Sequence, residues 1–195
     1  ADKIRIVPYG CSINYEGRLN QPVRGRVLFA GSDVVRKGIQ DLAEAATLLK
    51  ESNPDIEVQI AGSVPDVIKS HPVCADLVFL GRLEPNAMKD AFLSADVFVL
   101  PSLSEGYAGV VAEAVGAGCP VIVTKESGSF VQHHEEGLVV PSEDPAELAK
   151  AIVRLVDNRE LRDRCAKNCL ESLDAYTIDT WRKKLSAVIE ETLSS

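Results

Sequence analysis

Apolar residues in this chain come in short uninterrupted blocks, and polar stretches separate the blocks at fairly regular intervals. Runs rich in β-branched and other apolar side chains occur at residues 26–30, 57–61, 77–80, 97–100, 121–124 and 138–140. Continuous rather than alternating hydrophobicity marks a strand covered on both faces, as in a parallel sheet. The intervening segments carry helical periodicity and predict helices over 37–51, 86–95 and 107–117, with a short turn at 64–69. Strand and helix in strict succession require right-handed crossovers. The expected fold class is therefore α/β: a Rossmann-like, doubly wound parallel sheet of about six strands with helices on both faces.

After Pro141 the pattern becomes wholly helical, with stretches at 146–156, 159–176 and 180–193 forming a C-terminal tail. Asp144-Pro145 opens the first of them with a cap residue followed by proline in the first turn. Residues 1–25 lack periodicity beyond one short expected strand at 4–7 and read as a linker.

Composition narrows the function classes. The chain has 195 residues, 46% hydrophobic and 26% charged, the range of a soluble globular domain. Its net charge of −8, with dispersed basic residues, argues against a nucleic-acid partner. Asp2, Lys3 and Arg5 interrupt the N-terminus where a secretory signal would be apolar, and no run approaches a membrane span, so a cytoplasmic location is expected. Five cysteines, none in Cys-x-x-Cys spacing, argue against a disulfide or zinc framework. Cys165 and Cys169, one helical turn apart, are expected to be buried apolar residues, and Trp181 a packing residue of the last helix.

Ligands of open parallel sheets bind beyond the carboxyl ends of the strands, and three of those ends carry unusual residues. After the first, Gly31 and Ser32 lead to Arg36-Lys37-Gly38, which places a full positive charge where the next helix is expected to begin and an anion is favoured. A solvated basic pair is an equally good account of those two residues. After the fourth strand, Glu105-Gly106-Tyr107-Ala108-Gly109-Val110 leads into a helix holding Glu113. The glycines permit close approach of backbone to a ligand, and ionised carboxylates accept hydrogen bonds from sugar hydroxyls. Glu113 lies in the nearly apolar run 110–117, where an isolated carboxylate is expected to have a partner. After the third strand, Gly81-Arg82-Leu83 opens a loop that can face a flat base, although strand-Gly-turn is a common pattern. His133 and His134 are expected in a polar loop, and no Gly-x-Ser-x-Gly or Walker sequence supports a hydrolase or a nucleotide hydrolase.

Several of these segments, in order, resemble the C-terminal domain of retaining glycosyltransferases of group 1 (family 4), which have the two-domain GT-B fold. The matching elements are Glu105 and Glu113 with seven residues between them, the helix-to-strand run 114–122, Gly31 with Lys37-Gly38, and Ile6-Val-Pro-Tyr-Gly10. The resemblance implies that residues 1–25 are a linker and the end of a preceding N-terminal domain. Residues 26–176 would bind a nucleotide sugar, and 177–195 would form a helix packing toward the missing domain. It further implies that Lys37 holds the donor pyrophosphate and acts with Glu105 as a catalytic residue, Glu105 contacting the transferred sugar. Glu113 would bind the ribose hydroxyls, the Gly106–Val110 amides the sugar and phosphate, and the Gly81–Leu83 loop the base. The expected donor is a nucleoside-diphosphate sugar, with UDP first and GDP or ADP as alternatives, and no metal or other cofactor is expected. The product would be a hexosylated glycan, lipid or other acceptor, as in cell-envelope polysaccharide synthesis. The acceptor would bind the missing domain, the sole expected route to peripheral membrane association at the inner face, and this chain alone is expected to transfer nothing.

The chain departs from the family at Ser32, where Arg is usual with Arg36 as the nearby substitute, and at residues 125–137, a shortened loop that keeps Gly128-Ser129. Two other function classes stay open: a nucleotide-sugar epimerase of the same fold, and a non-catalytic Rossmann-like binding module.

Overall fold

The computed structural model describes Ile4, Arg5, Val7, Tyr9, Gly10, Tyr15 and residues 18–193. Six strands form one sheet: β1 (Arg26–Ala30), β2 (Glu57–Ala61), β3 (Leu77–Gly81), β4 (Val97–Leu100), β5 (Val121–Thr124) and β6 (Gly137–Val140). Their order is β3-β2-β1-β4-β5-β6 and every pairing is parallel. This is the doubly wound Rossmann-like arrangement, with the strand order reversing between β1 and β4. The central strands are fully enclosed: Val27, Leu28, Phe29 and all of β4 and β5 are buried. The uninterrupted apolar runs that predicted these strands follow from that double-sided burial.

The helices are α1 (Ile39–Ser52), α2 (Asp66–Lys69), α3 (Pro85–Ser94), α4 (Gly109–Gly116), α5 (Pro145–Asp157), α6 (Arg159–Ser172) and α7 (Ile178–Leu193). Four helix boundaries differ from expectation. The first helix begins at Ile39 rather than 37, because Gly38 is left-handed (φ 78°) and a Cβ there would lie 2.0 Å from the Pro101 carbonyl oxygen. Lys37 consequently sits in the turn before the helix. Residues 107 and 108 are not helical, and α4 starts at Gly109 after Ala108 at φ −88° and ψ 82°. The helix expected to run to 176 ends at Ser172 and tightens into a 3-10 turn over Leu173–Tyr176. α7 then starts two residues before the expected 180, because the Thr177 hydroxyl accepts from the Thr180 amide at 3.2 Å and caps it. Of the strand expected at 4–7, Ile4, Arg5 and Val7 are described and none is in a strand; Ile6, Pro8 and Cys11 lie outside the described residues.

The carboxylate of Asp96 fixes the amino-terminal edge of the sheet. It is fully buried and accepts from Gly25 N–H at 2.9 Å and from the Arg159 guanidinium at 2.8 Å on both oxygens. Arg162, itself 4% exposed, pairs with Asp96 at 3.2 Å and bonds the side-chain oxygen of Asn20. The Asn20 amide in turn donates to the carbonyls of Phe92, Leu93 and Ala95 at the end of α3. One buried charge thus ties α6, α3 and the chain entering β1 to the floor of the sheet. Removing one member of such a pair leaves the other charge buried and alone. Asp96→Ala is expected to lower the urea midpoint by the equivalent of about 3 kcal/mol with an unchanged slope.

Buried thiols complete the core. Cys74, Cys119, Cys165 and Cys169 are all buried and unbridged, and burial pushes the Cys119 thiol up to about 12. Among the described residues no helix is long and apolar enough to cross a membrane.

Candidate active site

The strand order reverses between β1 and β4, and the crevice above that point is where ligands of such sheets bind. The loops leaving these two strands carry the two residues at the centre of the expected site. Gly38, packed on Pro101, brings the β1 loop against the β4 loop, and Lys37 Nζ then meets Glu105 Oε1 at 2.5 Å. Lys37 reaches across Gly31, where a Cβ would lie 2.4 Å from Lys37 Cδ, so glycine at 31 is needed for this path. Arg36 holds the other carboxylate oxygen at 2.9 Å, donates to the Ser104 carbonyl at 2.8 Å and pairs with Asp33 at 2.7 Å.

The Glu105 side chain is 8% exposed and that of Lys37 13%, so their attraction is little screened. Burial works to raise the Glu105 pKa, but the hydrogen bonds and charges of Lys37 and Arg36 outweigh it and hold the carboxyl below its usual range. Asp33 and then Glu105 raise the Arg36 guanidinium in return. The loop has a built support: the Glu105 N–H donates to the Glu126 carbonyl at 2.8 Å. Gly128, left-handed at φ 59°, has no Cβ to strike the Glu105 carbonyl oxygen 2.7 Å away. The loop at 125–128 is therefore the wall behind Glu105.

Beside this pair lies a cleft of about 260 Å³ whose lining includes Gly31, Ser32, Lys37, Arg82, Leu83 and Val110. Three separated segments named from sequence thus meet in one place. Gly81 adopts φ 71° and its carbonyl accepts from Gly62 N–H at 2.8 Å, which turns Arg82 and Leu83 toward the cleft. Gly106 has open space around its Cβ position, whereas Ala108 is buried at the residue preceding α4, with no side-chain cap. Tyr107 and Gly109 are half-buried beside them.

Glu113 requires a correction. It is exposed rather than enclosed, since helix periodicity turns it outward while Val111, Ala112, Ala114 and Val115 turn in. Its carboxylate makes no hydrogen bond or ion pair among the described residues, and the surrounding protein still raises its pKa by desolvation. Glu113 stands three residues beyond Val110 and therefore on the same side of α4 as the cleft wall.

Four lining residues were not read as site residues in the sequence: the strand ends Ala30 and Ala61, and Gly62 and Met88. Gly62 was findable, because Ala61-Gly62 ends β2 just as Ala30-Gly31 ends β1, and a Cβ at 62 would lie 1.9 Å from the Gly31 carbonyl oxygen. Met88 carries no local signal. His133 and His134 do lie in a loop, where His133 Nδ1 accepts from Val139 N–H at 2.9 Å.

A larger groove of about 720 Å³ runs past Val35, Val67, His71 and Leu103, but Asp41, Glu44 and Glu143 line it as well. Three carboxylates repel a phosphate, whereas Lys37 and Arg82 attract one, so the smaller cleft is the better anion site.

Comparisons with known proteins show the family and the fold. The model of the family "Glycosyl transferases group 1" matches residues 24–158, more than half of the chain. The chain belongs to that family. The phosphatidyl-myo-inositol mannosyltransferase of Mycobacterium leprae is 30% identical over 87% of this chain and 47% of its own. The crystallised C-terminal domain of LpcC, a group 1 family protein of Francisella tularensis, superposes with a TM-score of 0.68 at 21% identity. That match covers 88% of this chain and 97% of the other. HepE of Anabaena, crystallised with UDP-glucose, matches with a TM-score of 0.71 at 19% identity, covering 86% and 49%. These two likenesses establish the fold, and the first aligns this chain with a C-terminal domain nearly end to end. The chain spans about half the length of the curated relatives it matches.

The low pKa of Glu105 sets a pH dependence for the domain. A carboxylate depressed by folding contributes stability that is present above its unfolded pKa, about 4.3, and is lost as pH falls through the lower folded value. Urea melts of the native chain and of Glu105→Gln should therefore differ by about 2 kcal/mol at pH 7, and the gap should close only below about pH 4. A gap that is the same at pH 3 and pH 7 would contradict the ion pairs.

Proposed function

We propose that this chain is the donor-binding domain of a retaining glycosyltransferase that takes a hexose from a nucleoside-diphosphate sugar. The observation that carries the proposal is the meeting of Lys37 and Glu105 at the reversal point of the sheet, beside a cleft lined by the loops of β1, β3 and β4. Lys37 and the amides opening α4 receive the diphosphate; the largely buried ammonium is already held in place by Glu105. Glu113, exposed and with no hydrogen bond or ion pair to its carboxylate among the described residues, accepts from the ribose hydroxyls. Arg82 and Leu83 flank the base, and Glu105 faces the sugar.

The chemistry assigned to these residues is electrostatic. As the bond from sugar to diphosphate lengthens, negative charge grows on the leaving phosphate, and preorganised cations and amides favour that state over the ground state. Arg36 is already shared among Asp33, Ser104 and Glu105, so it steadies Glu105 and supplies less charge than a free Arg at position 32 would. We propose UDP as the preferred nucleotide and transfer without a metal, the positive charge coming from side chains. That HepE was crystallised with UDP-glucose supports UDP by likeness of fold. The acceptor belongs to a preceding domain, toward which α7 packs; α7 has no fully buried residue here, in keeping with that role. Four buried, unbridged cysteines suit a reducing cytoplasm.

Calorimetric titration with UDP, GDP and ADP, each free and as its glucose conjugate, tests the proposal. One nucleotide should bind, and Lys37→Ala should weaken it by about tenfold or more, the loss of one charge-assisted contact. Glu113→Gln, a surface change that leaves the fold intact, should weaken the same ligand less. No binding at millimolar concentration would overturn the site. A protein that joins this domain to its N-terminal half should transfer hexose in the presence of EDTA and stop at Glu105→Gln.

A further inference from the structure

We infer that Tyr9, in the segment that enters the domain, positions the donor loop, so that the geometry of that segment and nucleotide binding are coupled. The inference rests on the assignment of the 105–113 element to the donor. Two separate contacts bracket that element. The Tyr9 ring lies 6.1 Å from that of Tyr107 at 67°, an edge-to-face packing two residues after Glu105. The Tyr15 hydroxyl donates to the Glu113 carbonyl at 2.8 Å, at the other end. Desolvation, with Glu113 nearby, raises Tyr15 well above the ordinary phenol range, so it remains a donor.

The other side of Tyr9 rests on Trp181 of α7, with ring centroids 5.1 Å apart. Its neighbour Gly10 lies so close to α7 that a Cβ would stand 2.5 Å from the Thr177 carbonyl oxygen. Tyr9 is thus held between α7 and the donor loop although it is 55% exposed. The core does not need an aromatic ring at such a site, but the loop gains from one: Gly106 beside Tyr107 has no side chain, and nothing lies within 4 Å of its Cβ position, so it imposes little conformation of its own. Edge-to-face ring pairs are directional and so transmit an orientation as well as contact. A shift of the entering segment against α7 moves the Tyr107 ring and with it the amides of 106–109.

The test uses this chain with Tyr9→Leu, and with Tyr9→Phe as the variant that keeps the ring. Backbone order parameters of Gly106, Tyr107 and Ala108, measured by 15N relaxation without ligand, should fall from about 0.85 to near 0.6 in Tyr9→Leu. Those of β1 should not change, and Tyr9→Phe should restore the loop. Affinity for whichever of UDP, GDP or ADP binds should drop about fivefold in Tyr9→Leu and recover in Tyr9→Phe. Emission of Trp181, the single tryptophan, should shift as that nucleotide is added to the native chain. Unchanged order parameters in Tyr9→Leu would overturn the inference even if the nucleotide binds and the donor assignment stands. Loosened loop amides in a chain that binds no nucleotide would uphold the positioning role of Tyr9 and overturn the donor assignment instead.

Discussion

A single carboxylate, Glu105, has to be held at the open end of a parallel sheet, and much of the surrounding sequence serves that requirement. Its two oxygens are taken by Lys37 and Arg36 from the neighbouring loop. Bringing the loops that close requires glycine at 38 against Pro101, at 31 beneath the lysine chain and at 128 behind the carboxylate's own backbone. Each of these glycines is a place where a Cβ would push the charged groups apart. The pair is buried enough to be strong and open enough on the Lys37 side to accept an incoming anion.

The two edges of the sheet divide the work. At the amino-terminal edge Asp96 is sealed and fully satisfied, joining α3, α6 and the entering chain, and it has no access to solvent through which to act on a ligand. At the carboxyl-terminal edge the charges are partly exposed, and the Glu113 carboxylate has no hydrogen bond or ion pair among the described residues. Burial decides which cluster stabilises and which binds: a desolvated, fully paired charge fixes structure, whereas a partly solvated one can exchange its partner.

Much of this was legible in the residues, and the failures have physical causes. The six strands could be read because each is covered on both faces, so local hydrophobicity alone marks them. The residues that meet around the cleft could be named from motif order, because glycine and charge are required at fixed strand ends. What could not be read was long-range pairing. Asp96 interrupts an apolar run, yet its partners Arg159 and Arg162 lie more than 60 residues away. Glu113 was expected to be enclosed because its neighbours in sequence are apolar; the helix turns them inward and the glutamate outward. Helix starts at 37 and 107 were displaced to 39 and 109, the first by the left-handed Gly38 and the second by the non-helical backbone of Ala108.

The central claim is that the β1–β4 reversal, with Lys37, Glu105 and Glu113, forms the nucleotide site. A crystal structure of this chain soaked with UDP tests it most directly. The account predicts diphosphate oxygens within hydrogen-bonding distance of Lys37 Nζ and ribose hydroxyls on the Glu113 carboxylate. Nucleotide seated instead in the acidic groove along Val35, His71 and Glu143, with Lys37 untouched, would contradict it.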